Sequence, residues 1–247
     1  MIRHFPLKTS EVRQPLYYRL RDLFAQEIVQ QRWSREQVIP AEAELAQMHN
    51  VSIGTVRKAI ELLVADGLLE RLQGKGTFVR RPKFNSSLFR FFRFHQEQDA
   101  YRIPTSRILN REVTAFPAAI AKEMGYPEGT QAIHLTRLRL IDGQPLLLES
   151  IWLPKHIFEP LLAIELQDYG DLLYPLYEKH CGVLVASAEE TLTAEVVSAE
   201  HAQSLALEPG SLVILIDRLA MGYNRERLEW RRSRGPASKF HYHVEIR

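Results

Sequence analysis

The stretch VSIGTVRKAIELLVADGLLERLQGKGTFV, from Val51 to Val79, constrains the fold more than any other part of the chain. Ser52 is a good N-cap residue and Gly67 suits the end of a helix, so the sequence predicts a helix between them. Apolar residues recur inside it at the i, i+3, i+4, i+7 spacing of a buried helix face. They are Val56, Ala59, Ile60 and Leu63.

Two further helices are predicted before this one. The first runs over residues 15–31, with Pro15 in its first turn and an apolar residue at every fourth position. The second begins at Pro40 and ends near Asn50. Its predicted apolar stripe consists of Ala41, Leu45 and Met48. Two short helices joined by a short turn are typical of a helix-turn-helix.

The end of the opening stretch predicts a wing beside this helix-turn-helix. The segments LLERL and TFVRR indicate two short strands around the tip QGKG. Glycines leave no side chain at the tip, so its backbone can approach another surface closely, and Lys75 adds a positive charge there. A nucleotide-binding phosphate loop is excluded, because a strand follows the glycines and no Gly-Lys-Ser/Thr is present.

Charge is distributed unevenly along the chain. Residues 1–83 carry 14 Lys and Arg against 9 Asp and Glu, whereas the remainder carries 18 against 21. This asymmetry predicts a polyanionic partner for the N-terminal part only. The single cysteine, Cys181, excludes an internal disulfide. The sequence has no run of eighteen apolar residues and no signal-peptide pattern, so we expect a cytoplasmic protein without a membrane partner.

From about residue 105 the pattern changes to strands alternating with short helices. Consecutive hairpins, such as QAIHLTRLRLIDGQPLLLESIWL around an Asp-Gly turn, predict a mainly antiparallel sheet and an α+β fold class. The last predicted strand is FHYHVEI. We expect a winged helix-turn-helix domain over residues 10–81, a Phe-rich connector over 82–104 and a C-terminal domain over 105–247.

The first eighty residues resemble the winged-helix domain of the GntR family of bacterial transcription regulators, through PLYYRLRDLFAQEI, IPAEAELA, VSIGTVRKAIELLVADGLL and RLQGKGTFV. The C-terminal part resembles the UTRA effector domain of the HutC subgroup, a chorismate-lyase-like fold, through RLRLIDGQPLLLESIWLP, LLYPLY, AEETLTAE and LEWRRS. The sequence departs from the family pattern twice. Ser52-Ile53 stands where the family usually has Ser-Arg, and Pro40-Ala41-Glu42 stands where it usually has Pro-Ser-Glu.

This resemblance implies double-stranded operator DNA as a partner. The N-terminus of a recognition helix carries unpaired N–H groups that suit phosphate, and Arg57 can reach guanine in the major groove. The alternative is that Ser52 is only a cap and Arg57 only a solvated charge. The predicted DNA-binding residues are Ser52, Ile53, Gly54, Thr55, Arg57, Lys58, Gly74, Lys75, Gly76 and Thr77. Specific affinity usually needs two half-sites, so we expect a homodimer, joined through the effector domains, on a two-fold symmetric operator.

In the C-terminal part, Arg137 and Arg139 lie two residues apart on a predicted strand, so they share one face. The face of Glu149, on the partner strand, depends on the turn. A two-residue turn, Asp142-Gly143, places Glu149 on the opposite face, and a three-residue loop that also includes Ile141 places it with the arginines. A salt bridge that pins the sheet without any ligand is the alternative to a binding site.

The resemblance implies that the two arginines hold the anionic group of an effector and that the glutamate binds hydroxyl or amino groups, which favours the three-residue loop. Leu172 stands where phosphosugar-binding members carry a serine, and Gly235 where some carry a tyrosine. We therefore expect a small anionic metabolite that bears a carboxylate. The predicted effector-binding residues are Arg137, Arg139, Glu149, Tyr174 and Glu229.

Catalytic signatures such as Gly-x-Ser-x-Gly, His-Glu-x-x-His and Cys-x-x-Cys are absent from the sequence. His241 and His243 alternate on the last predicted strand but lack a third metal ligand. We expect no enzyme activity, cofactor or metal, and a transcriptional regulator that acts as a repressor. The alternatives are a lyase-like enzyme domain tethered to a DNA-binding module and an architectural DNA-binding protein without a ligand.

Overall fold

The computed structural model of the protein describes residues 15–29, 32–33, 38–80 and 104–241. The chain divides into two compact units, residues 1–80 and residues 81–247. The Phe-rich connector predicted over 82–104 lies outside the described residues except for Pro104.

Three helices and a two-stranded hairpin form the described part of the first unit. The elements are α1 (Leu16–Val29), α2 (Glu42–His49), α3 (Ile53–Ala65), β1 (Leu69–Leu72) and β2 (Gly76–Val79). The buried face of α3 consists of the four apolar residues predicted from its periodicity, Val56, Ala59, Ile60 and Leu63. Leu20, Phe24 and Ile28 of α1 are buried as well, so the helices share one apolar core.

Local signals set the helix ends where the sequence predicts them. Ser52 Oγ accepts a hydrogen bond from the Thr55 amide, and Asn50 and Gly67 adopt the left-handed conformation just after α2 and α3. The predicted stripe of α2 is wrong in part. Leu45 is buried, but Met48 is 36% exposed and the helix buries Ala46 instead. An eight-residue helix has too few turns for periodicity to define its face.

The wing hairpin has a further backbone contact, which comes from the chain just before α2. The amide of Ile39 donates to the carbonyl of Thr77 in β2 at 2.9 Å. Val38 then lies against Gly76, where an added Cβ atom would come 2.5 Å from Val38 Cγ1. Gly76 is therefore required by packing inside this domain, and by its φ of 115°.

The second unit consists of one sheet with short helices on both faces. Its strands are β3 (Thr105–Ala115), β4 (Gln131–Ile141), β5 (Gln144–Pro154), β6 (Ser187–Val196), β7 (Leu212–Met221) and β8 (Arg227–Pro236). Its α-helices are α4 (Ala118–Met124), α5 (Lys155–Phe158), α6 (Leu173–Cys181) and α7 (Ala199–Leu205), and 3₁₀ turns span Glu159–Ala163, Leu166–Tyr169 and Ala237–Lys239.

The six strands lie in the order β3-β4-β5-β8-β7-β6, and every neighbouring pair is antiparallel. Helices α5 and α6 cover one face of the sheet, through residues such as Phe158 and Tyr177. Helices α4 and α7 cover the opposite face, through Met124 and Leu205. The α+β fold class is confirmed.

The hairpin between β4 and β5 corrects one prediction. Its turn is the two-residue Asp142-Gly143 turn, in which both residues have positive φ (49° and 75°), and Ile141 pairs with Gln144. The expected three-residue loop is therefore wrong. Glu149 nevertheless pairs with Arg137, because the register shifts between Arg139 and Leu140 and leaves an extra residue, Leu146, in β5. This β-bulge moves Glu149 to the face of the arginines.

Two predicted strands differ from the observed ones. The strand predicted from Val183 begins only at Ser187. In the predicted strand FHYHVEI, Phe240 and His241 are not in a strand, and the remaining residues, including His243, lie outside the described part. None of the helices in the described residues is long and apolar enough to span a membrane.

Candidate functional site

The exposed end of α3 presents polar groups next to its first amide groups. Ser52 and Thr55 lie at this end, and their hydroxyl oxygens are 2.9 Å apart. Ser52 Oγ also caps the Thr55 amide at 3.2 Å. Ser52 is thus a cap, and its hydroxyl lies at the positive end of the helix macrodipole, where an anion is favoured.

Arg57 does not stand alone on the exposed face of α3. Its Nε donates to Glu42 Oε2 at 2.9 Å, and Arg71 Nη2 from β1 reaches Glu42 Oε1 at 3.1 Å. Glu42, at the start of α2, therefore connects a recognition-helix arginine with a wing arginine. The contact uses only the Nε of Arg57, so its two terminal nitrogen atoms do not depend on Glu42.

The other residues predicted to contact DNA divide by their role in this unit. Ile53 is 46% exposed at the first turn of α3, an apolar side chain where the family usually has arginine. Gly74 has a φ of 72° and open space where a Cβ would be, so it serves the turn. Gly76 and Thr77 take part in internal packing and pairing, as described above. The exposed ones are Ser52, Ile53, Gly54, Arg57, Lys58, Gly74, Lys75 and Gly76.

In the second unit, charged residues are buried on the sheet face that α5 and α6 cover. Arg137 Nε donates to Glu149 Oε2 at 2.5 Å, directly across the β4–β5 pair. Both side chains are essentially inaccessible, at 1% and 0% exposed. Arg139 lies two residues along the same face, is also buried, and donates to the carbonyl of Pro104 at 3.4 Å.

A residue that the sequence reasoning did not select, Arg231, joins this pair to the other predicted residues. Its Nη1 lies 3.5 Å from Glu149 Oε1, and its Nη2 donates to Glu229 at 2.7 Å. Glu229 also accepts from Tyr174 OH at 3.3 Å and from Tyr177 OH at 2.6 Å. The structure therefore brings Arg137, Glu149, Glu229 and Tyr174 into one connected cluster, with Arg139 beside it on the same strand.

The cluster continues across the sheet to β6. Arg218 on β7 donates to Glu190 on β6 at 2.8 Å and to Tyr174 OH at 3.3 Å. The alternation of side chains along β7 and β8 indicates which face Arg218 and Arg231 share with Glu229. In the segment LEWRRS, Glu229, Arg231 and Ser233 alternate on one face, and Arg218 pairs with Arg231. A charged residue on a strand is usually exposed, so this alternation alone does not indicate a buried cluster.

Electrostatics of the cluster are set by burial and by its cations. Burial alone raises the pKa of Glu149, but Arg137, Arg231 and Arg139 outweigh it and lower the pKa to about 2. Burial lowers the pKa of Arg139 to about 10. Attraction by Glu149 opposes this shift, and repulsion by Arg137 and Arg231 adds to it. Burial and the adjacent Glu229 raise the pKa of Tyr177 well above its usual value.

On the opposite face, three side chains form a chain of hydrogen bonds across β3, β4 and β5. His134 Nδ1 lies 2.9 Å from Glu112 Oε1, and His134 Nε2 lies 2.8 Å from Ser150 Oγ. The order of contacts is that of a Ser–His–carboxylate triad. However, Ser150 lies inside β5, which is paired on both sides, so the ladder occupies backbone amides that an oxyanion hole would need. Trp152 Nε1 also donates to Ser150 Oγ, at 3.2 Å. The contacts act to tie three strands together.

Comparison with known proteins agrees with this architecture. Residues 16–79 match the family described as bacterial regulatory proteins, gntR family, and residues 99–241 match the UTRA domain. The chain is 30% identical over 211 residues to a protein of Escherichia coli K12 named as a fructoselysine utilization operon transcriptional repressor, covering 85% of this chain and 86% of that protein.

Two further proteins extend the comparison. The transcriptional repressor NagR of Bacillus subtilis 168 is 28% identical over 236 residues, covering 94% of this chain and 95% of NagR. The crystal structure of the ligand-binding domain of a GntR-family regulator from Bordetella bronchiseptica is 27% identical with a TM-score of 0.56, covering 64% of this chain and 96% of that domain. The resemblance found in the sequence is thus confirmed, and the chain belongs to the GntR family of bacterial regulatory proteins, among the members that carry a UTRA domain.

Proposed function

We propose that this protein is a transcriptional repressor whose binding to a DNA operator is controlled by a small anionic metabolite held in its UTRA domain. The observation that carries the proposal is the buried cluster of Arg137, Arg139 and Glu149, in a chain whose other unit exposes a cationic recognition helix. A buried arginine is expensive for a fold unless an anion and hydrogen-bond acceptors compensate it.

Repression is favoured by the relatives, which are named as transcriptional repressors. DNA binding by α3 and the wing is supported by the exposed residues Arg57, Lys58 and Lys75 and by the exposed N-terminal end of α3 at Ser52. Arg57 would read a base edge in the major groove, and Lys75 would neutralise a phosphate near the minor groove.

Control of DNA binding by the effector follows if the protein is a homodimer and each protomer carries its anion site and its DNA site in different units. An effector that favours one arrangement of the two protomers changes the spacing of the two recognition helices. Operator half-sites lie at a fixed spacing, so that change weakens binding.

The experiment is a footprint and gel-shift on the DNA upstream of the protein's own gene, with and without a panel of small carboxylates and phosphosugars. We expect a protected, two-fold symmetric site and its release by one acidic compound. Protection without sequence preference would favour the architectural alternative. Turnover of the releasing compound, measured by mass balance, would favour the enzyme alternative.

A further inference from the structure

Arg231 is a buried arginine that lies between the two carboxylates of the cluster. Its side chain is only 4% exposed, and it contacts Glu149 at 3.5 Å and Glu229 at 2.7 Å. Both are predicted effector-binding residues, and the family resemblance assigns Glu149 to the hydroxyl or amino groups of a ligand. In this chain an internal cation connects them.

Both carboxylates have their acceptor positions largely filled by the protein. Glu149 accepts from Arg137 Nε at 2.5 Å, Arg231 Nη1 at 3.5 Å and Ser233 Oγ at 3.3 Å. Glu229 accepts from Arg231 and from two tyrosine hydroxyls. A ligand hydroxyl or ammonium group would have to displace buried, charge-assisted hydrogen bonds to reach either one.

Donors, by contrast, are in surplus. Arg137 Nη1 and Arg231 Nε are buried nitrogen atoms with no hydrogen-bond partner among the described residues. A buried N–H group without an acceptor costs stability, and each of these belongs to a cation. Both arginines already contact Glu149, so their remaining donors lie around one small region.

The charges of the cluster balance, so the surplus lies in its donors. Arg137, Arg139, Arg218 and Arg231 face Glu149, Glu190 and Glu229, and Asp171 also attracts Arg139. Repulsion by Arg137 and Arg231 contributes to the lowered pKa of Arg139. A cluster whose carboxylates are filled and whose arginines keep unused N–H groups is complementary to a ligand that offers acceptors.

We propose that the effector of this protein is a small dianion with two oxyanion groups and few hydrogen-bond donors, of the dicarboxylate class. One group binds at Arg137 and Arg139, and the second binds at Arg231, which is the residue that sets specificity. This inference rests on the proposed function, because it assigns the effector class of the same site.

The spacing of the strands limits the length of such a ligand. Arg137 lies on β4 and Arg231 on β8, with β5 between them. Two inter-strand spacings of about 4.8 Å separate the two strands, and the long side chains converge on Glu149 between them. Because the side chains converge, the two oxyanion groups of the ligand must lie closer together than the strands do, which a chain of about four to six carbon atoms with a carboxylate at each end allows.

Calorimetry on the full-length protein tests the proposal with defined probes. Succinate, glutarate and adipate are compared with butyrate, which has one carboxylate, and with glucosamine 6-phosphate, which is rich in donors. We expect one of the dicarboxylates to bind at least about tenfold more tightly than butyrate, as the loss of one charge-assisted contact implies.

The matched variants are Arg231→Lys and Arg232→Lys. Arg232 is the next residue but lies on the opposite face, where it pairs with Asp217. Arg231→Lys keeps the charge and removes the planar fork, so we expect dicarboxylate affinity to fall about tenfold while butyrate affinity stays unchanged. Arg232→Lys should leave both unchanged. If Arg231→Lys does not fold, the charge-balanced double variant Arg231→Gln, Glu229→Gln replaces it, with the same loss expected, because Glu229 contacts Arg231 and leaves the Arg137–Glu149 pair intact.

Three outcomes would overturn the inference. They are tightest binding of glucosamine 6-phosphate or butyrate, unchanged dicarboxylate binding in the Arg231 variant that folds, and no binding of any dicarboxylate. Operator binding by the same preparations is measured alongside. If the wild-type protein does not bind an operator, the proposed function is wrong. If it binds the operator but no dicarboxylate, only this assignment of the effector class is wrong.

Discussion

At the scale of single residues, Glu42 sets the orientation of the arginine with which α3 would contact DNA. Its carboxylate holds Arg57 from α3 and Arg71 from β1 at once. All three side chains are partly exposed, so the ion pairs add little to stability. Their effect is on geometry, because they limit the orientations of an arginine that is to read a base.

This leads to a prediction for operator binding. Arg57→Ala should cost about 1–3 kcal/mol, the usual value of an arginine that contacts a guanine. Glu42→Gln should raise affinity for unrelated DNA, because a negative charge near phosphate is removed, and should reduce discrimination between operator and unrelated DNA. Fluorescence anisotropy with both DNAs at one salt concentration measures this. If folded Arg57→Ala protein binds the operator as tightly as wild type, α3 is not the reading helix.

Glu149 gives a second prediction, on pH. Its folded-state pKa of about 2 lies below the ordinary value of 4.5, so its ionised form stabilises the folded second unit above about pH 4.5. The contribution is lost as the pH falls from about 4.5 toward 2, and amounts to about 3 kcal/mol at most. Urea unfolding, followed by the fluorescence of Trp152 and Trp230, checks it.

The control for this prediction is the Glu149→Gln variant, which cannot titrate at that position. The difference in unfolding free energy between wild type and variant should shrink as the pH is lowered from 6 to about 3. A difference that stays constant over this range would mean that Glu149 is not held ionised by the arginines.

At the scale of elements, the two wing glycines predict different costs for the same substitution. Gly76→Ala places a Cβ 2.5 Å from Val38 and strains a φ of 115°, whereas Gly74→Ala meets no atom within 4 Å. We expect Gly76→Ala to lower the unfolding free energy of the first unit by about 2 kcal/mol or more and Gly74→Ala by about 1 kcal/mol. Chemical unfolding monitored at Trp33 compares them, and equal costs would contradict the packing of Val38 on the wing.

Elements also show what sequence reasoning can and cannot predict. Caps and apolar periodicity are local, and they located α3 through Ser52 and Gly67. The bulge at Leu146 is not local, because it depends on how two strands fit together, so the sequence left the face of Glu149 open and the loop expectation was wrong. Arg231 was missed for a related reason: only tertiary packing reveals that a strand arginine is buried.

At the scale of the whole molecule, one winged-helix domain can bury only a small area on DNA. A single module buries about 600–1,000 Å² of protein surface on DNA, less than specific complexes usually bury. We therefore predict that the full-length protein is a dimer in solution whose contact lies within residues 105–247. Light scattering on the full chain and on that fragment tests this. A monomeric mass for both at micromolar concentration would refute the symmetric-operator scheme.

The bulge in β5 also has a genetic consequence. Loss of the single codon for Leu146 would remove the extra residue and give regular pairing, with Glu149 still opposite Arg137. Such a deletion should therefore keep the wild-type phenotype, whereas loss of the codon for Ser150 would shift every later pair of β5 with β4 by one residue. In-frame single-codon deletions along this strand would therefore separate the positions where length matters from those where only side-chain chemistry does.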